Sequence, residues 1–575
     1  MSISRLVDET VSVPEAICRV LEQAGIEYVF GMPGGRTGAI YGALFDHTAK
    51  IRPVLVREEG LAAVMADVYG RLTGRPGVAM GQAAFMLTNS GMGIVEGYLA
   101  GSPMLILSDL SDNAPFSHHG PYQAGTGDYG TWDARATIAG YTKQVFVARE
   151  PAAAVQDTQL AIKHATSGQP GPVAVLYHSA ALNQTVGPDT RPRLYATVSY
   201  LAPERPPADE SRVDAAVEAL AAASRPVVIA GNGVRMSRAQ SRLRELAELL
   251  SIPVATTAAG KGVFAETDPL ALGVFGNFGL EAANAVVADA DLVLAVGTKL
   301  GPTDTANENP ALLDPARQTF IQVDIEPRHA AWTFPSEHTL IGDAGAVLAQ
   351  LVQASRRREL PPMGGRERVA EAHARLASFD VADSASDDTP VRPQRLIKAL
   401  HEAMPDDTVV TCDAGENRLF MMHHFQTKEG MEYLQPAGVG GMGYAVPAAL
   451  AAKLVYPQRP VVAVCGDGGF GIGMNGLLTA LEEDIPIVVV IFNNSMLGWV
   501  RHGQGQRPVA SRFLDHDIAA IARAMGCEGF RVERPEQLAD ALRGAVTSGR
   551  PAVVDVVTSA ELTFRDVTSP LTAYP

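Results

Sequence analysis

"VVAVCGDGGFGIGMNGLLTALEEDIPIVVVIFNNS", residues 461–495, contains two apolar runs that each end in oxygen-bearing residues. Val461–Cys465 reads as a strand. Gly466, Gly468 and Gly469 let the chain turn sharply and let a phosphate approach the backbone. Asp467 is the one charged side chain at that turn. Residues 473–482 read as helix and 485–492 as the next strand, which closes in Asn493 and Asn494. In an open α/β sheet ligands bind beyond the carboxyl ends of the strands, so Asp467 and Asn494 are expected at one edge. Oxygen donors together with phosphate oxygens suit Mg²⁺. An isolated Gly-Asp-Gly is usually an ordinary strand-to-helix turn. The same tripeptide with an Asn pair closing the next strand is far more specific.

The pattern of this stretch recurs along the chain. Apolar runs at 28–32, 103–109, 172–178, 226–233 and 291–298 alternate with helical stretches. Continuous Val/Ile/Leu runs mark strands covered on both faces, hence parallel sheets flanked by helices. At 575 residues the chain exceeds one hydrophobic core. Residues 186–210, rich in Pro and charge, and 355–393, basic then acidic with Pro and Gly, read as linkers. The fold class is therefore α/β, with three consecutive open parallel-sheet domains at about 1–188, 189–365 and 366–575. No tandem repeat is visible in the sequence.

A net charge of −16 argues against nucleic-acid and anionic-membrane partners. No apolar run reaches the roughly 18 residues of a membrane span. The N-terminal "MSISRLVDETVSVPEAI" has no signal-peptide core, and the four cysteines lie far apart without metal spacing. The expectation is a cytoplasmic protein with reduced thiols.

"GDGG" at 466–469 with "NN" at 493–494 resembles the motif of thiamine-diphosphate (ThDP) enzymes. The resemblance implies that Asp467, Asn494 and the main-chain carbonyl of Met496 ligate Mg²⁺. It places Gly466, Gly468 and Gly469 against the diphosphate and adds Leu497 to the cofactor-binding set. "TVVTCDAGENRLFM" (408–421) resembles the family's second diphosphate-holding loop, through Gly415, Glu416 and Asn417. "PAGVGGMGYAVPAALAAKL" (436–454) resembles the Gly-Xaa-Met-Gly segment, with Gly440 at the cofactor and Met442 as the residue that props it in its bent form. A methionine is by default a core residue; its glycine-rich flanks favour the cofactor role.

The family also supplies a buried carboxyl that hydrogen-bonds the aminopyrimidine ring and activates the cofactor. "IRPVLVREEGLAAVMADVYGRLTGRPGVAM" (51–80) resembles that region. Of Glu58 and Glu59, the spacing to Ala66-Asp67-Val68-Tyr69 selects Glu59 and leaves Glu58 as a solvated carboxylate at a helix start. In this family the glutamate of one chain serves ThDP on another, which implies a homodimer or homotetramer with active sites at the interface. The three domains thus resemble the pyrimidine-binding, middle and diphosphate-binding domains of that family.

Within the family, "LEQAGIEYVFGMPGGRTGAIYGALFD" (21–46) and "NNSMLGWVRHGQGQ" (493–506) resemble acetohydroxyacid (acetolactate) synthases. That implies a 2-oxoacid substrate and C–C bond making or breaking next to a carbonyl. Departures keep a second type open, the 2-hydroxyacyl-CoA lyases and oxalyl-CoA decarboxylases; a non-catalytic regulatory relative is the remote alternative. "AAFMLTNSG" (83–91) keeps Thr88-Asn89 but has Phe85 and Met86 where the synthases carry Gly-Pro-Gly. The loop "SHHGPYQAGTGDYGTWDARATIAGYTK" (117–143) matches Gln123 to the synthases' Phe-Gln-Glu only with about seven extra residues. His118 and His119 in it are candidate proton carriers or plain surface histidines. Arg501 is either a substrate anchor or a solvated helix arginine, and Trp132 and Trp499 either shape the pocket or fill the core. "GTKLGPTDTANENP" (297–310) lacks the Asp-Asp-Arg that accompanies FAD in the synthases, which argues against FAD.

Overall fold

The computed structural model describes residues 4–113, 122–201, 205–376, 379 and 381–563. Three six-stranded sheets form, each parallel throughout. The first runs, in spatial order, Arg52–Leu55, Tyr28–Gly31, Gly77–Gly81, Met104–Asp109, Pro172–Tyr177, Gln144–Ala148. The third runs Glu432–Leu434, Val409–Cys412, Val461–Gly466, Val488–Asn493, Ala552–Val557, Glu528–Val532. Numbered along the chain within each sheet, both have the order 2-1-3-4-6-5. The two outer domains therefore share a topology that no repeat in the sequence betrays. The middle sheet is 3-2-1-4-5-6, from Ala271–Val274 through Pro226–Ala230 to His338–Ile341.

The first and third sheets meet through one continuous core. Helices Glu59–Thr73 and Ala445–Val455 pack there. Small residues (Ala62, Ala63 and Ala66 on one, Ala448, Ala449 and Ala452 on the other) are fully buried and let the helices approach closely. A polar network crosses this core. Arg71 Nη2 donates to Asp67 Oδ2 at 2.9 Å, Arg71 Nη1 to the Gln435 carbonyl at 2.8 Å, and Tyr444 Oη to Asp67 Oδ2 at 3.3 Å. Such a buried charge is tolerated only because its partners are in place.

Two readings of local structure need correction. The helix after the glycine turn begins at Asp467, as Asp467–Gly473, and a second one follows at Gly476–Glu482. Glycine's poor helix propensity is overridden by packing between the third sheet and the Gly443 turn, where a Cβ on Gly443 would meet Ile472. The stretch 355–393 is not an irregular linker. It contains helix Gly365–Arg375, which packs on helix Glu281–Asp289, and Arg368 Nη1 donates to the Pro226 carbonyl at 2.8 Å.

Candidate active site

In the third sheet the strand order reverses between Val409–Cys412 and Val461–Gly466, and loops diverging from such a switch point open a crevice. A cavity of about 120 Å³ lies there. It is lined by Gly415, Glu416 and Asn417 from one strand end, Gly466, Asp467, Gly468 and Gly469 from the next, and Asn494, Met496 and Leu497 from the third. Met442 borders it too, with an exposed side chain. The structure thus brings together nearly all the residues singled out for cofactor and metal.

Asp467 stands first in its helix. Its Oδ1 accepts the Gly468 N–H at 2.8 Å, whereas its Oδ2 is buried and has no hydrogen-bond partner among the described residues. Burial pushes its carboxyl up to about 6. A buried oxygen with nothing to bind is costly unless a ligand satisfies it. Asn494 and Met496 flank Ser495, whose φ of 53° bends the backbone sharply between them. The Leu497 N–H to Ser511 (2.9 Å) and the Phe513 N–H to Ser495 (2.8 Å) pin that bend. The donors are one carboxylate, one amide and main-chain oxygens, a hard set short of a full cage, as Mg²⁺ takes when phosphate and water complete its shell.

Gly415 lies at φ 106°, open to glycine alone, and starts helix Glu416–His424. Glu416 Oε1 meets His502 Nδ1 at 2.6 Å, and His502 Nε2 meets the Ala560 carbonyl at 3.0 Å. The carbonyl demands a proton on Nε2. The contact with Glu416 and the one with Ala560 together fix the orientation of the His502 ring beside the cleft. Asp413, fully buried, accepts the N–H groups of Gly443 (3.0 Å), Ala445 (2.9 Å) and Ala414 (2.8 Å), and burial pushes it up to about 6. A Cβ on Gly469 would lie 2.9 Å from this carboxyl, so that glycine is required for close approach.

Other predicted residues lie elsewhere. Gly440 borders a separate cavity of about 610 Å³ at the middle domain, with Asn232, Lys299, Asp304, Asp324 and Arg418. Glu59 is buried as the first residue of helix Glu59–Thr73 and is not among the residues lining the third-sheet cleft. Its Oε2 accepts the Asn89 amide at 3.1 Å. Glu58 holds the helix cap position, half-buried rather than solvated, with burial raising its carboxyl. The Gln82 amide donates to Gln123 Oε1, and Trp132 Nε1 donates to the Gln123 carbonyl at 3.1 Å, near the carboxyl ends of the first sheet. Trp499 borders the third-sheet cleft and packs edge-on against Phe278, partly buried. Arg501 lies in an adjoining cavity of about 280 Å³ beside Asn494 and Met496. His118 and His119 lie outside the described residues.

Asp413 and His502 were missed from sequence, and Asn89 was noted only as part of a retained motif, without its contact to Glu59. Asp413 had a signal, since it closes a strand just as Asp467 does. The pairings of Asn89 and His502 had none, because their partners are 30 and 86 residues away.

Comparison with known proteins agrees with this geometry. The models of the thiamine pyrophosphate enzyme N-terminal TPP binding domain, central domain and C-terminal TPP binding domain match residues 11–127, 213–351 and 413–556. The chain is 31% identical over 557 residues to a probable acetolactate synthase large subunit of Methanocaldococcus jannaschii, covering 94% of this chain and 91% of the relative. It is 30% identical over 562 residues to the acetolactate synthase isozyme 3 large subunit of Escherichia coli K12, covering 95% of each. With all three domains matched and relatives aligned over nearly its full length, the chain belongs to the thiamine pyrophosphate (thiamine diphosphate) enzymes, as an acetolactate-synthase-like member.

Proposed function

We propose that the protein uses ThDP and Mg²⁺ to decarboxylate a 2-oxoacid and join the retained acyl unit to a second carbonyl. The observation that carries this reading is the buried, unpartnered Oδ2 of Asp467 in a cleft shared with Asn494 and Met496. When bound, ThDP supplies a thiazolium carbon that takes up electrons from the bond being broken. The chain's own residues do the rest. Asp467, Asn494 and Met496 hold the cation, the loops at Gly415 and Gly466 receive the diphosphate, and Glu59 holds a proton against the cofactor ring.

Glu59 and the metal cleft have to act on one cofactor, yet Glu59 does not line that cleft. This supports a homodimer or higher homo-oligomer in which a second copy brings its Glu59 to the first copy's cleft. Exposed Met442, Ile472, Met474 and Phe85 provide apolar surface for such an interface. Four buried free cysteines support a reducing, cytoplasmic setting, and no described helix is long and apolar enough to cross a membrane.

The reading omits FAD. The middle cavity sets three carboxyls (Asp304, Asp324, Asp343) against Lys299 and Arg418. Burial raises Asp304 to about 7 and Asp324 to about 6, and lowers Lys299. What supports the omission is the segment 297–310, which borders this cavity without the Asp-Asp-Arg that the synthase resemblance calls for.

The test is a turnover screen of purified protein with ThDP and Mg²⁺ against pyruvate, longer 2-oxoacids, benzoylformate and 2-hydroxyacyl-CoAs. CO₂ release with an acetolactate-type product, lost on chelation, is expected, as is a colourless protein. Turnover confined to CoA thioesters would overturn the substrate assignment, and a stoichiometric flavin spectrum would overturn the omission of FAD.

Asn89 fixes which way the Glu59 carboxyl faces. Asn89→Ala is expected to cut turnover about tenfold, the value of one hydrogen bond to a carboxylate. Melting temperature should stay near wild type. Steady-state rates beside thermal melts check both.

A further inference from the structure

We propose that Glu96 is a positioning residue that clamps the Met442 segment; this rests on the ThDP reading above. Glu96 sits in helix Gly91–Ala100 of the first domain, and its side chain is completely buried. Its Oε1 accepts the N–H groups of Ala437 (2.5 Å) and Gly438 (2.8 Å), and its Oε2 those of Val439 (2.8 Å) and Gly440 (3.3 Å). Four successive main-chain donors on one carboxylate form the kind of nest that ordinarily holds an anion. Arg71 Nη2, 3.5 Å from Oε1 and shared with Asp67, offsets part of the charge.

The clamp acts on one end of a short stretch. Its other end is held by Asp413, through Gly443 and Ala445. Met442 lies between the two clamps, two residues after Gly440 and one before Gly443. The same helix crowds the stretch from the side. A Cβ on Gly438 would lie 2.5 Å from Leu99, and one on Gly441 would lie 2.6 Å from the Met92 sulfur. The backbone leading into Met442 is thus set by the N-terminal domain, although Met442 itself borders the cleft of the C-terminal domain. An uncharged side chain at position 96 cannot satisfy four donors. Glutamine offers one acceptor oxygen, and its NH₂ faces N–H groups.

The experiment compares wild type, Glu96→Gln, Met442→Ala and the double variant by calorimetric ThDP titration in Mg²⁺, with amide hydrogen exchange across 437–442. Glu96→Gln is expected to weaken ThDP about tenfold and to speed exchange at 437–440. The double variant should bind within about twofold of Met442→Ala alone, because both substitutions act through one residue. Unchanged ThDP affinity in Glu96→Gln, or losses that simply add in the double variant, would overturn the clamp. If Glu96→Gln does not fold, wild type decides. Protected amides at 437–440 that ThDP slows further support the clamp, and unprotected ones overturn it. Failure of wild type to bind ThDP would instead sink the cofactor reading, and the first titration shows which has failed.

Discussion

Glu59→Gln is expected to give a folded protein that binds ThDP and Mg²⁺ with near wild-type affinity but turns over about 10³-fold more slowly, the scale of a lost general acid–base group. Glutamine fills the same volume at this buried helix start and can still accept the Asn89 amide. What it cannot do is take up and release a proton toward the cofactor ring. Asn89 occupies Oε2, so Oε1 is the atom on which the chemistry depends. Affinity should hold because the residues facing the diphosphate and cation belong to the other cleft, which Glu59 does not line. Rate and affinity are separable by single-turnover kinetics beside calorimetric titration. Turnover within tenfold of wild type would withdraw the role from Glu59 and reopen Glu58, which stands one residue away at the helix cap.

Residues 461–495 made the diphosphate-side cleft legible because its donors are strand ends, and strand ends can be read from local apolar patterning. The same logic reaches Asp413. It does not reach Glu96, an acid inside the apolar helix "GMGIVEGYLA" whose main-chain donors lie more than 340 residues away. A lone carboxylate in such a helix does signal that something must pay for its burial, but not what. The shared 2-1-3-4-6-5 order of the outer sheets was illegible for another reason. Order is set by non-local strand pairing, and both sheets need only interchangeable Val, Ile, Leu and Ala to fill them. Composition misled at 365–375, where Val369 and Ala372 are the helix's only buried side chains larger than glycine and most of the rest is charged. Gly440 was assigned by its place in a motif, yet the turn around it faces the middle-domain cavity while Met442 faces the cleft.

Asp467→Ala is expected to abolish loading, with ThDP and Mg²⁺ bound more than about 100-fold more weakly, since a first ligand outweighs the supporting contacts that alone cost 10–100-fold. The sign of its stability effect is opposite. Burial raises the Asp467 carboxyl from 3.8 to about 6 in the folded protein. Its contribution to apo stability is therefore complete below pH 3.8 and is lost as pH rises through about 6. Above that, the apo protein carries a buried charge that backbone N–H groups relieve only in part, so apo Asp467→Ala should melt no lower than wild type. Cation binding must displace the proton. More proton should be released per site at pH 5 than at pH 7, read from calorimetric enthalpies in buffers of different ionisation heat. The variant also decides where the halves of the site meet. If each cleft takes Glu59 from a second copy, mixing inactive Glu59→Gln with inactive Asp467→Ala rebuilds one intact site in every mixed dimer. Random exchange makes half the dimers mixed, so about a quarter of wild-type activity should return under a two-fold interface. A single-chain site gives no recovery at any ratio, because every chain in the mixture then lacks one half of its own machinery.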